Sequence, residues 1–87
     1  MNKNKEQTGT ATLYRNAYEV ETIAVSGSSE SELKAQARVK LTPRHVGLGR
    51  WNKSKKNARK KGVDAFWWKE SEKNGHIYRL ECEVKSP

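Results

Sequence analysis

The chain has 87 residues, with 18 Lys and Arg against 10 Asp and Glu and a formal charge of +8. A chain of this length makes one small domain that buries only about 60–65% of its unfolded surface, and its single cysteine beside two histidines excludes an internal disulfide and a Cys-based zinc site. No apolar run approaches the roughly 18 residues of a membrane span, and polar Asn-Lys-Asn-Lys follows Met1 where a secretory signal would be apolar, so a soluble, cytoplasmic protein is expected.

Residues 1–8, MNKNKEQT, are polar and without period, and read as a disordered tail ahead of a single domain over 9–87. Residues 10–25 are rich in Thr, Val, Ile and Tyr and predict one bent strand or a hairpin turning at Arg15-Asn16-Ala17. Tyr18 and Val20 alternate with Glu19 and Glu21, after which Ile23 and Val25 fall on the Glu side. That slip in phase predicts a bulge near Thr22.

Ser29, with Glu32 three residues later, has the form of a capping box just before Leu33. The following LKAQARVKL carries two periods at once. Leu33, Ala37 and Leu41 share a helical face, while Leu33, Ala35, Ala37, Val39 and Leu41 alternate as in a strand. The cap and the alanines favour a helix over 29–41, ended by Pro43.

The basic block comes next. From Lys34 to Val63, eleven basic residues meet no Asp or Glu, which leaves seven basic against ten acidic residues elsewhere, or −3. Ser54 or Asn52 can cap a short helix here, with Gly62 as its stop. Without an apolar stripe, and with lysines at its own positive end, such a helix is marginal alone. The segment 44–62 is therefore expected as a long basic loop or short helix.

Residues 64–85 read as a hairpin around Lys73-Asn74-Gly75. A two-residue loop pairs Trp67 with Cys82, and a three-residue loop pairs Phe66 with Cys82 and Trp68 with Leu80. The second gathers Phe66, Trp68, Tyr78, Leu80, Cys82 and Val84 on one face and turns Trp67 outward with Arg79, Glu81 and Glu83. It makes the better apolar layer, and it is the register expected. The predicted fold is α+β: a three- or four-stranded antiparallel sheet (10–25, 64–71, 76–85) with one helix on a face and the basic segment before a C-terminal hairpin.

Function is expected from the charge. A block of this size attracts polyanions, and only Trp51 and Ala58 interrupt it with apolar groups, too few for a membrane surface. The first expectation is a non-enzymatic nucleic-acid-binding module, for DNA or RNA. Its phosphate contacts would come from Arg44, Arg50, Lys53, Lys55, Lys56, Arg59, Lys60 and Lys61, extended by Lys34, Arg38 and Lys40 if they face the same way. Trp51 either stacks on an unpaired base or anchors the segment on the sheet. The alternative is a phage-type inhibitor or adaptor docking on an acidic surface of a nuclease, polymerase or CRISPR complex, with Trp67 at the interface.

No catalytic residue, cofactor or metal is expected. His45 and His76 stand 31 positions apart without ligands at metal spacing. Glu19/Glu21 and Glu81/Glu83 read as solvent-face pairs for Lys or Arg, and Cys82 as a small buried hydrophobe. The zinc-finger, RRM and KH signatures are absent. The size, lone cysteine and mixed pattern resemble in type those of small phage or mobile-element accessory proteins.

Overall fold

The computed structural model describes residues 6–41 and 49–85. They form β1 (Gln7–Arg15), β2 (Tyr18–Gly27), α1 (Glu30–Leu41), β3 (Asn52–Lys53), α2 (Lys55–Lys61), β4 (Ala65–Lys73) and β5 (His76–Lys85). The strands make one antiparallel sheet in the order β2-β1-β5-β4-β3. The α+β class holds, with five strands and two helices where three or four strands and one helix were expected. β1 starts at Gln7, inside the stretch read as a tail.

Both hairpins close through two-residue turns with left-handed backbone: Asn16 (φ 51°) and Ala17 (φ 71°), then Asn74 (φ 54°) and Gly75 (φ 82°). Such turns match the right-handed twist of the strands they join. The first is also tied to β5. The Asn16 N–H donates to the Ile77 carbonyl at 2.7 Å, and the Ile77 N–H donates to Asn16 Oδ1 at 2.9 Å. The bulge lies nearer the turn than expected. Leu13 pairs with Glu21 and Tyr14 with Glu19, so Val20 is the extra residue and is left 55% exposed.

The second turn corrects the expected register. Lys73 pairs with His76, which puts Trp67 opposite Cys82, Trp68 opposite Glu81 and Lys69 opposite Leu80. Residues directly opposite share a face, so Trp67 lies on the core side, and Phe66 and Trp68 lie on the other. The expectation failed because it assumed a single apolar layer. The sheet has two covered faces, and the second takes Phe66.

α1 covers the first face. Glu32 N–H donates to Ser29 Oγ at 3.3 Å, which is half of the capping arrangement expected there. Leu33, Ala37 and Leu41 then bury themselves against Ala11, Leu13, Val25, Leu80, Cys82 and Val84. The helix sits close to the strands at Gly9, where a Cβ would lie 1.9 Å from the Glu83 carbonyl oxygen and 3.2 Å from Leu33 Cδ2. The 33–41 stretch is thus helical, and its strand-like alternation leaves Val39 80% exposed.

Candidate functional site

From Asn52 to Lys61 the basic block folds as a short strand and a helix, where a long loop was one of the two expectations. Ser54 is its pivot. Its N–H donates to the Phe66 carbonyl at 2.9 Å, continuing the short β3–β4 ladder, and its Oγ accepts from the Asn57 N–H at 3.2 Å as the cap of α2. Gly62, at φ 70°, closes the helix: its N–H donates to the Arg59 carbonyl at 3.3 Å, and the Val63 N–H donates to the Ala58 carbonyl at 3.0 Å. A strand bond, a cap and a left-handed stop hold seven residues that have little propensity to hold themselves.

The helical period sorts the side chains of α2. Asn57, Ala58 and Lys61 face the sheet: Ala58 is buried, and Lys61 Nζ lies 3.3 Å from Glu83 Oε2 and 5.6 Å from the Phe66 ring centre. Lys55, Lys56, Arg59 and Lys60, at i, i+1, i+4 and i+5, make the outer face and are all exposed. Among the described residues, Lys61 is the member of the 44–61 block that takes part in an ion pair. Arg50 and Lys53 are exposed, and Lys53, opposite Trp67, falls on the α1 side of the sheet. Arg44 and His45 lie outside the described residues.

The extension residues do not join α2. α1 covers the opposite face of the sheet, so Lys34 and Arg38 look towards the other side of β4. Lys34 Nζ sits 3.4 Å from the centre of the Trp67 ring, and Lys53 Nζ sits 5.2 Å from the same ring. The Trp67 Nε1–H donates to Glu30 Oε1 at 2.7 Å. Lys40 falls one turn after Gln36, whose side chain bonds Ser26 of β2, so it flanks the far side of α1. Trp51 is half-buried and packed on the core, with Lys69 Nζ 4.6 Å from its ring centre. Its position matches the anchor reading.

Lys69 is the residue that sequence reasoning missed. It is 4% exposed and sits opposite Leu80 on the core side. Burial, and then the positive charges of Arg38 and Lys34, push its pKa below the ordinary lysine value. The signal for it was the Asn-Gly turn, since only the two-residue register brings position 69 to this face.

On the α2 face a groove of about 780 Å³ runs between the helix and the first hairpin, lined among others by Tyr14, Phe66, Lys61 and Arg79. Arg79 is fully engaged there. Its Nε lies 2.7 Å from Glu81, its Nη1 lies 3.6 Å from Glu70, and its guanidinium is 4.4 Å from the Trp68 ring centre. Tyr14 is held above the usual phenol pKa, first by burial and then by Glu81. Glu83 pairs with Lys61 of α2 and Glu81 with Arg79 of its own strand, so both acids of the β5 pair meet basic partners, but not across strands as expected. Cys82 is buried as expected, and burial pushes its thiol up to about 11.

No protein-family model, curated protein or solved structure matches this chain. Among the described residues, no group of three or more His, Cys, Asp or Glu could hold a metal ion, and no helix is long and apolar enough to cross a membrane.

Proposed function

We propose that the protein is a non-enzymatic nucleic-acid-binding module whose contact surface is the outer face of α2. The observation that carries this reading is the make-up of that face. Lys55 stands one turn from Arg59 and Lys56 one turn from Lys60, with no acid in the first turn of the helix. Each like-charge pair one turn apart costs a helix about 0.2–0.5 kcal/mol, and lysines at its positive end add to the cost. A helix chosen for stability would alternate the signs. A helix that meets phosphates uses the cations together.

No strongly exposed aromatic interrupts the α2 face, so recognition rests on charge and carries little base preference. Four to five phosphate contacts give a log–log salt slope of roughly −4 on duplex DNA. Titration with duplex DNA, single-stranded DNA and RNA at low and physiological salt, on the native protein and on Lys55→Glu/Lys56→Glu, tests the reading. The double variant is expected to weaken all three by a similar factor and to flatten the slope by about 2. Equal affinity of variant and native protein overturns the proposal and leaves an acidic protein surface as the partner to look for.

A further inference from the structure

We propose that β2 is a docking edge for a second copy of this chain, which pairs antiparallel through its own β2 and joins the two sheets into one. The inference stands apart from the reading of α2. The two edges of the sheet are finished differently. At one, β3 is two residues long and runs straight into the cap of α2, which leaves little ladder to extend. At the other, β2 runs for ten residues and, among the described residues, pairs with β1 alone. It contains no Lys and no Pro, the residues that commonly guard such an edge.

Gln36 of α1 shows which residues of β2 look outward. Its side-chain amide accepts from the Ser26 N–H at 3.2 Å and donates to the Ser26 carbonyl, so it occupies both backbone groups from outside the sheet. The N–H and C=O of one residue point to the same side of an antiparallel strand, and the side alternates along the chain. Ala24 and Thr22 therefore also point away from β1, and among the described residues no group meets their backbone. Both residues are exposed. This open window ends at the bulged Val20 on one side and at the occupied Ser26 on the other.

One self-pairing uses the window in full. With Thr22 opposite Ala24 of the second copy, and Ala24 opposite its Thr22, the free residues exchange four backbone hydrogen bonds. A shift of two residues either way loses half of them, because Ala24 then faces a bulge or Thr22 faces an occupied Ser26. The full register sets each occupied Ser26 against the other copy's bulge, where no ladder is required. A straight peptide strand has no such bend and is stopped at the Gln36 amide. Ile23, partly buried against the core, comes to lie on the two-fold axis against its own copy, as a close pair without hydrogen bonds. Glu21 lands opposite Val25 and away from the second Glu21, so like charges stay apart.

Four bonds and one apolar contact make a small interface, with a dissociation constant expected on the order of 0.1 mM. Sedimentation equilibrium of the full chain from about 10 µM to about 1 mM measures it. The average mass should climb from 10.0 kDa towards twice that value. Ala24→Lys changes only an exposed side chain and brings two cations together at the edge. It should raise the dissociation constant on the order of tenfold or more. Oxidation of Thr22→Cys, Ile23→Cys and Ala24→Cys, each made singly, reads the register. Only position 23 faces itself, so its variant should cross-link fastest, by about tenfold. The native Cys82 is buried and does not compete. A chain that stays monomeric throughout overturns the proposal and leaves a strand of another protein as the occupant of the edge. Fastest cross-linking at position 22 or 24 overturns the pairing. A dimer that Ala24→Lys leaves intact overturns it too, whether or not the cysteine variants fold.

Discussion

The two helices of this domain obey opposite rules. α1 begins with a serine cap, carries Glu30 and Glu32 in its first turn and Arg38 and Lys40 in its last, and buries Leu33, Ala37 and Leu41. Each of those choices favours the helix or its packing. α2 has the cap and the glycine stop but no acid at its start, and a single buried residue, Ala58. Apart from Asn57, its remaining positions repeat one sign of charge. The difference separates residues that keep the fold from residues that the fold carries. Lys69 breaks the division, since it is a lysine buried on the α1 side, against Trp51.

Changes on the α1 side are expected to act on stability first. Gly9→Ala puts a methyl group against the Glu83 carbonyl, which side-chain motion cannot relieve. It should cost about 3 kcal/mol or more or stop folding, as judged by loss of a cooperative melt. Leu33→Ala empties a fully buried position under the helix and should cost about 2–5 kcal/mol in a urea melt. If either left stability unchanged, the assignment of α1 as the structural helix would fail.

On α2 the same kind of change should do less. Ala58→Gly loses one buried methyl and about 1 kcal/mol of helix propensity, a modest shift in the urea midpoint. Lys55→Glu/Lys56→Glu should even stabilise the fold, by about 0.5–1 kcal/mol, because acids then face the positive end of the helix. The same variant should lose affinity for nucleic acid. Lower stability together with unchanged affinity would make α2 an ordinary structural helix and erase the contrast.

What could be read in advance follows the same line. The Ser29 cap and a hairpin turn at Asn74-Gly75 are local chemistry, and both appear in place, although the turn uses two residues where three were expected. Register is not local. It depends on which face each aromatic finds covered, and the cover over Phe66 comes from α2, a helix with no apolar stripe to announce it. β3 is less legible still. Asn52 and Lys53 have no strand propensity worth the name and are a strand only because Trp68 and Trp67 pair with them. Of the expected site, the charge of the block was visible, but its division between two faces was not. Lys34 and Arg38 lie on the same side of the sheet as Lys69, and Lys69 could be found only after the register was right.

Lys69 also sets a slope of stability against pH on the α1 side. In the folded chain its pKa lies below the unfolded value of 10.5. Between the two values the unfolded chain binds more protons, so this group adds stability as pH rises through that window. Below the window the cost of holding it charged is present in full. Lys69→Met keeps the stem against Trp51 and removes the charge, so the variant should melt higher than the native protein at neutral pH. Its advantage should shrink as pH climbs towards 10.5. Cys82, raised to about 11 from 9.0, pulls the other way and lowers stability from about pH 9 upward, but it does so in both proteins and cancels in the difference. A native protein that melts higher than Lys69→Met across the whole range would mean that the ammonium group has a favourable partner in the fold.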